Sequence, residues 1–367
     1  MNPSRGMRCL YRSTNILRLA ANAARRSFSS SKKVAASIAT DNHLDPKTHF
    51  VFGANTDIGK TVLTAALIRA AGTQRTDKMG TTTTTSNSNS NSNSNNTAVH
   101  YIKPLQTAGS DCDESFVRKH ASHHLSSATT LFDWETPCSP HFAARIENKP
   151  VSDEVVLEAL GDSLATISNS GGDGSSNTSI WIETAGGVMS PSSSSPQNRA
   201  PHHARNSAGD SASARDNSSW GWVTQADLYK AFRDRSSVVL IGDGTLGGIS
   251  NTLTALEALL HRNYNVGGIL LIRGDNGGGP NNEDEGNSDS NLDALREYAA
   301  SYRSISPSNG SSNSSSSLFA NPERSILSLP PLPPEPEPLN EWFASSDVQD
   351  PMSLFVHGHL FESYNMK

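Results

Sequence analysis

Between Gly53 and Thr61 the chain reads Gly-Ala-Asn-Thr-Asp-Ile-Gly-Lys-Thr, a run of small residues closed by a cation and a hydroxyl. Backbone N–H groups across Gly53, Asn55, Asp57, Ile58 and Gly59 can turn inward to cradle phosphate oxygens. Lys60 can reach the β and γ phosphates, and the Thr61 hydroxyl can ligate Mg²⁺. The usual spacing asks for glycine at position 54, where this chain carries Ala54, with its first glycine one residue earlier. Context strengthens the match. A strand-like Thr48-His49-Phe50-Val51-Phe52 precedes the loop, and Val62, Leu63, Ala66, Leu67 and Ala70 follow at helical spacing. The pattern predicts a nucleoside triphosphate site; the competing reading is a glycine-rich turn that happens to contain Lys-Thr.

Other residues fit the same chemistry. Lys103 ends the apolar run Ala98–Ile102 and precedes Pro104, so a second ammonium is expected near the loop, where it can neutralise charge developing on a transferring phosphoryl group. Glu183 closes the apolar Ser179–Ile182 run, a position with little structural call for a carboxylate. Asp113 is a second candidate partner for Mg²⁺, and equally a helix N-terminal acid ahead of Ser115–His120. Gly186, Gly187, Gly247 and Gly248 allow close approach of backbone to a ligand, or tight turns. Gly247, Gly248, Ile249 and Ser250 open a helix whose free N–H groups could take a carboxylate. His141, in Ser139-Pro140-His141, reads more readily as a satisfied loop histidine than a catalytic one.

Five apolar strands must hold these groups: one before the loop, then Ala98–Ile102, Ser179–Ile182, Ser237–Ile241 and Val266–Ile272. Helical runs separate them at Asp153–Leu164, Gln225–Arg233, Ser250–Arg262 and Leu292–Tyr302. Near-continuous apolar strands alternating with helices predict an α/β fold: a mostly parallel sheet covered by helices on both faces, P-loop NTPase-like. Ligands of such sheets sit beyond the carboxyl ends of the strands, where these polar residues cluster.

The 367 residues carry 30 Lys plus Arg against 36 Asp plus Glu, a net charge of −6, which offers no footprint for a nucleic-acid partner. No apolar run is long enough to predict a membrane partner. Polar tracts near 80–97, 168–178, 192–219, 276–291 and 304–317 are Ser, Asn, Thr and Gly rich, with too little apolar surface to offset ordering entropy. They read as disordered insertions in the loops of one domain, residues 46–345, with a C-terminal tail at 346–367. Setting aside insertions and ends leaves about 210 residues, the size of one α/β domain. Residues 1–40 hold six arginines and no acid, the composition of a mitochondrial transit peptide with a processing region at Arg25–Ser29; chloroplast import and a plain basic tail are the alternatives. The three cysteines, Cys9, Cys112 and Cys138, offer neither a disulfide framework nor zinc spacing.

Taken in order, GANTDIGKTV, YIKPLQTAGSDCDESFV, SPHFAAR, IETAGGVMSP, TQADLY and VLIGDGTLGGISNTLTALEALL resemble dethiobiotin synthetase, in its mitochondrial eukaryotic form often fused to a diaminopelargonic acid aminotransferase. The likeness runs from about Phe50 to Trp342. It implies an ATP- and Mg²⁺-dependent ligase of biotin biosynthesis that closes the ureido ring of dethiobiotin from 7,8-diaminononanoate and CO₂. One amine carries CO₂ as a carbamate, a carbamate oxygen attacks the γ-phosphate, and the second amine closes the ring by expelling phosphate.

By the same likeness, Lys60 and Lys103 stabilise the phosphoryl group, Thr56 lies near the carbamate, and Thr61, Asp113 and Glu183 hold Mg²⁺. The nucleotide contacts extend through Val62 to Gly186 and Gly187. Thr107 would meet the substrate amines and Gly247 to Ser250 the substrate carboxylate, the latter from a neighbouring subunit of a homodimer. Two positions depart from the pattern: Asp57 is one methylene shorter than the glutamate of many bacterial members, and Thr245 replaces a residue that is often basic. The adenine-contacting group after the fifth strand is either Arg273 or a member of the Gly274–Pro280 loop. The rival readings are a nucleotide-switched regulatory ATPase, an amidotransferase-type synthase of the same superfamily and a catalytically inactive homologue.

Overall fold

The first strand, β1 (Lys47–Gly53), is buried along its length from Thr48 and takes partners on both edges, β4 (Thr178–Gly187) and β5 (Ser236–Ile241), both parallel to it. Its sequence can do this because Phe50, Val51 and Phe52 have no polar side to turn to solvent. With β2 (Ala98–Gln106), β3 (Ser127–Asp133), β6 (Val266–Ile272) and β7 (Ile326–Leu329) the strands form a seven-stranded parallel sheet in the order β3-β2-β4-β1-β5-β6-β7. A computed structural model describes residues 47–73, 97–109, 112–170, 178–193, 223–274, 290–305, 317–334 and 338–362. The expected transit peptide and most of each polar insertion lie outside the described residues.

Each face of the sheet has its own core. One packs α3 (Pro140–Ile146), α4 (Asp153–Ser170), α5 (Gln225–Leu228), α6 (Gly248–His261) and α7 (Ser290–Ile305) against Phe50, Phe52, Ile102, Ile182 and Leu240. The other packs α1 (Lys60–Gly72), α2 (Asp113–Ala121), α10 (Leu339–Ala344) and α11 (Ser346–Phe355) against Val51, Tyr101, Trp181, Val239 and Leu270. Two short helices, α8 (Ser317–Ala320) and α9 (Pro322–Ser325), lead into β7. The expected α/β architecture with helices on both faces is what the chain adopts. Helix α1 is buried nearly all round, at Leu63, Ala65, Ala66, Leu67, Ile68, Ala70 and Ala71, because it lies between the sheet and a second layer made by α2 and α11. Among the described residues no helix is long and apolar enough to cross a membrane.

Several elements differ from expectation. Strands β3 and β7 are additional; both are sheet edges, paired on one side only, and β3 is half-exposed, so neither carries the continuous apolar run of an inner strand. Residues Ser168–Ser170, assigned to a polar insertion, are the last turn of α4, and Ser290 and Asn291, assigned to another, open α7. The run Gln225–Arg233 is a four-residue α-helix opened by a capping box between Thr224 and Asp227, continuing as a 3₁₀ segment through Arg235.

The largest correction concerns 346–367. Residues 346–362 are not a tail: Val348, Met352, Phe355, Val356 and Leu360 are buried in the core beside α1. His357 Nε2 meets the Ala70 carbonyl at 2.8 Å, tying this segment to the last turn of the loop helix. The amphipathic spacing of those residues was present, but Pro351 inside the run masks it; the ring is accepted in the second turn of α11.

Candidate active site

The C-terminal ends of β1, β2 and β4 are neighbours in the sheet, and register sets what meets there. Val51 lies opposite Glu183 across the β1–β4 pair, and Ile102 opposite Ile182 across β2–β4, so Lys103 and Glu183 emerge together one step beyond. The loop leaving β1 enters α1 through left-handed residues Asp57 (φ 57°) and Gly59 (φ 79°). A side chain at Gly59 would be strained by that left-handed backbone, and its Cβ would stand 2.4 Å from Ile272 Cδ1 of β6, which would have to turn aside. The Ala54 N–H donates to Ile241 O at 2.8 Å, and the Val188 N–H to Gly53 O at 2.9 Å, so the loop is tied to β5 on one side and to the Gly186–Gly187 turn on the other. Asn55, Thr56 and Asp57 stand exposed at its crest, with the Thr56 N–H donating to Asn55 Oδ1.

Six side chains from four elements converge at the root of the loop. Lys103, 3% exposed, sits 2.5 Å from Asp113 Oδ2 and 3.0 Å from Glu183 Oε1, and Glu183 is wholly buried. Thr61 Oγ1 is 2.9 Å from both Asp113 Oδ1 and Glu183 Oε1, with one proton to donate between them. The Tyr101 hydroxyl donates to the other oxygen of Glu183 at 3.3 Å. Lys60 Nζ donates to the Gly186 carbonyl at 3.1 Å.

The electrostatics follow from this crowding. Burial, then the neighbouring Lys103 charge, pulls Lys60 down to about 8, against the opposing pull of Glu183, Asp113 and Asp57. Burial also works to lower Lys103, but its two carboxylate partners outweigh it and raise the ammonium above its usual range. For Asp113 burial pushes upward, and the Lys103 charge with its hydrogen bonds wins, holding the carboxyl below the ordinary range. Burial first, and then the Glu183 charge, raises Tyr101 well above a normal phenol, so it stays a neutral donor.

Thr61, within hydrogen-bond reach of both Asp113 and Glu183, makes with them a set of hard oxygen donors that suits Mg²⁺ shared with phosphate oxygens. Among the described residues no group of three or more His, Cys, Asp or Glu stands together as a metal cluster.

The remaining expected residues fall into two groups. Gly186 (φ 63°) and Gly187 pack against the loop: a Cβ on Gly187 would lie 3.3 Å from Ala54 O, and one on Gly186 would approach Thr56 Cγ2. Val62, in the first turn of α1, and Ile58, just before it, pack at the edge of the core, and Thr107 is half-buried just past β2. Gly247, Gly248, Ile249 and Ser250 belong to a separate cluster at the end of β5, organised by Asp243. The Asp243 carboxylate accepts from the Thr245 N–H at 3.0 Å, the Thr245 hydroxyl at 2.7 Å and Asn251 Nδ2 at 3.0 Å. Asn291 from α7 donates to the Thr245 carbonyl at 3.0 Å. Thr245, read as a missing basic residue, thus has a structural partner of its own. His141 is buried, with its Nδ1 3.0 Å from Ser139 Oγ. Sequence reasoning overlooked Tyr101, Gln106 and Asp243. Gln106 touches Thr107 and the Asp113 amide, and the only signal for it was its place next to Thr107.

The chain is similar in sequence to several proteins of known name. The bifunctional dethiobiotin synthetase/adenosylmethionine-8-amino-7-oxononanoate aminotransferase of Emericella nidulans is 31% identical over 230 residues, 62% of this chain and 22% of its own length. The chain's relatives are dethiobiotin synthetases. The mitochondrial bifunctional dethiobiotin synthetase/7,8-diamino-pelargonic acid aminotransferase of Oryza sativa is 30% identical over 274 residues, 60% of this chain and 27% of its own. The ATP-dependent dethiobiotin synthetase of Anaeromyxobacter dehalogenans is 26% identical over 61% of this chain and 75% of its own. The chain thus spans about a quarter of the bifunctional synthetases, 22% and 27% of the two above, and three-quarters of that single-function one. No family model matches the chain. Among solved structures, pNOB8 ParA bound to nonspecific DNA aligns over 85% of this chain and 99% of its own with a TM-score of 0.38 and 14% identity, a level from which nothing about this site follows.

Proposed function

We propose that this chain is a dethiobiotin synthetase, joining CO₂ to 7,8-diaminononanoate with ATP and Mg²⁺ to give dethiobiotin, ADP and phosphate. The observation that carries the reading is the Lys60, Thr61, Lys103, Asp113 and Glu183 constellation at the ends of β1, β2 and β4, on a chain whose relatives bear that name. In this reading the loop amides and Lys60 hold the phosphates, and Lys103 holds charge steady as the γ-phosphoryl group moves to the carbamate oxygen. Thr56, at the loop crest, faces the carbamate, and Thr107 orients the amine that carries it. Thr61, Asp113 and Glu183 would hold Mg²⁺, which supplies charge neutralisation on the phosphate oxygens. The amides of Gly247 to Ser250 take the substrate carboxylate across the interface of a homodimer. The protein works in the mitochondrial matrix beside, or joined to, an aminotransferase that makes its diamine.

The test is phosphate release with Mg²⁺, ATP and bicarbonate, with and without 7,8-diaminononanoate, and the organic product weighed by mass spectrometry. Diamine-dependent release with dethiobiotin as product is expected. ATP turnover indifferent to the diamine would sink the reading in favour of a nucleotide-switched ATPase, and no ATP binding in favour of an inactive homologue.

The depressed Lys60 has a consequence for pH. With the loop free of phosphate its ammonium titrates near pH 8, while a bound triphosphate favours the charged form and raises that value. Binding therefore takes up protons around pH 8, and ATP affinity falls as pH climbs past it. Titration calorimetry in two buffers of different ionisation heat should show proton uptake that is largest above pH 8; a dissociation constant flat from pH 7 to 9 would refute this.

A further inference from the structure

Helix α2 carries Asp113 at its first position, and the side chain of its cap residue, Cys112, meets Ser115 Oγ at 3.0 Å and takes none of the helix's backbone N–H groups. A helix start leaves its first N–H groups without intrahelical acceptors. Here the Asp113 N–H finds one outside the local chain: Gln106 Oε1, from the last residue of β2, at 3.3 Å. Gln106 is only 5% exposed, and its Nε2 donates to the Thr107 carbonyl at 2.5 Å. Its own backbone is fixed from the far side, where the Trp134 N–H donates to Gln106 O at 3.0 Å. One amide side chain thus grips both ends of the turn between β2 and α2, a turn that passes through left-handed Ala108 (φ 78°) and Gly109 (φ 50°). A left-handed alanine is strained and persists only where its surroundings enforce it.

We infer that Gln106 is a positioning residue that couples the Asp113 carboxylate to the Thr107 segment, so that cation site and amine site are set by a single side chain. The inference rests on the dethiobiotin synthetase reading only for what Thr107 meets. Its metal half stands on the Asp113–Thr61–Glu183 cluster alone. Because Gln106 is both acceptor and donor, its two functions separate chemically. Gln106→Met removes both bonds. Gln106→Glu keeps the acceptor for the Asp113 N–H and loses the donor to the Thr107 carbonyl, which it then repels.

The test measures Mn²⁺ binding by electron paramagnetic resonance on the full chain with ADP, alongside the KM for 7,8-diaminononanoate and the kcat at saturating Mg²⁺ and substrates. For Gln106→Met the Mn²⁺ dissociation constant is expected to rise about tenfold, in the range typical of groups that orient metal ligands. Its KM should rise with it, and kcat should stay within about threefold. For Gln106→Glu, Mn²⁺ binding no weaker than wild type with a raised KM is expected. A purely structural glutamine would lower the unfolding temperature without this split, and wild-type Mn²⁺ binding and KM in Gln106→Met would overturn the inference. The Mn²⁺ readout needs no turnover: if the wild-type chain makes no dethiobiotin, the assignment of product fails, while weaker Mn²⁺ binding in Gln106→Met still upholds the metal half of the coupling.

Discussion

Lys103→Ala is expected to cut dethiobiotin formation by about 10³-fold, the scale on which a cation facing a transferring phosphoryl group acts. The position leaves little room for compensation. Lys103 is buried between Asp113 and Glu183, and deleting it sets two carboxylates face to face without the charge that holds Asp113 ionised. Breaking a buried pair by removing one partner costs about 3–5 kcal/mol in general, so the unfolding temperature of the free protein should fall as well. The two effects part when a divalent cation is added. With Lys103 gone, Asp113 and Glu183 have no competing ammonium, so Mn²⁺ should bind at least as tightly as in wild type while turnover stays low. Near-normal turnover in Lys103→Ala would remove Lys103 from the chemistry. Lost turnover together with weakened Mn²⁺ binding would mean that its role is to hold the carboxylates in place.

Phe355→Ala should destabilise the fold by about 3–5 kcal/mol, the usual cost of truncating a buried aromatic. The ring is fully buried and lies over β6 where Gly268 leaves a gap; a Cβ on Gly268 would come within 2.4 Å of it. Thermal unfolding should shift down by roughly 10 °C for a domain of this size. Leu354→Ala, at a half-exposed neighbour on the same helix, should move the midpoint by a degree or two at most. Deleting residues 346–362 removes Val348, Met352, Val356 and Leu360 with it and should leave the chain unable to fold. An unchanged midpoint in Phe355→Ala would mean that α11 is not part of the core.

That helix also marks the boundary of what could be read from the chain. The three strands that lead to Gly53, Lys103 and Glu183 were legible because a strand buried on both faces must be apolar throughout, and a change of residue type at the close of such a run is conspicuous. The edge strands were not, since pairing on one side and partial exposure allow Thr and Ser among the apolar residues of β3 and β7. Asp113 could be named as a candidate but not separated from an ordinary helix-terminal acid. Its distances to Lys103 and Thr61 are set by the packing of α2 against β2 and α1, not by local spacing. Gln106 and Tyr101 were overlooked for a related reason: a buried glutamine or tyrosine has meaning only through its partner, and those partners lie 7 residues away for one and 82 for the other.

By itself the sequence determined the alternation of strands and helices, the glycine-bounded loop from Gly53 to Thr61, and which residue types stand where the strands end. These depend on local propensity, burial pattern and short-range spacing, all of which are written in consecutive residues. Only the tertiary structure decided that Lys103 shares its charge between Asp113 and Glu183, that Thr61 faces the same two carboxylates, that Asp243 secures the turn into α6, and that the last helix closes the core over α1. Each of these depends on strand order and register, which bring together side chains far apart in the chain and fix their distances to a few tenths of an ångström; no local pattern encodes such distances.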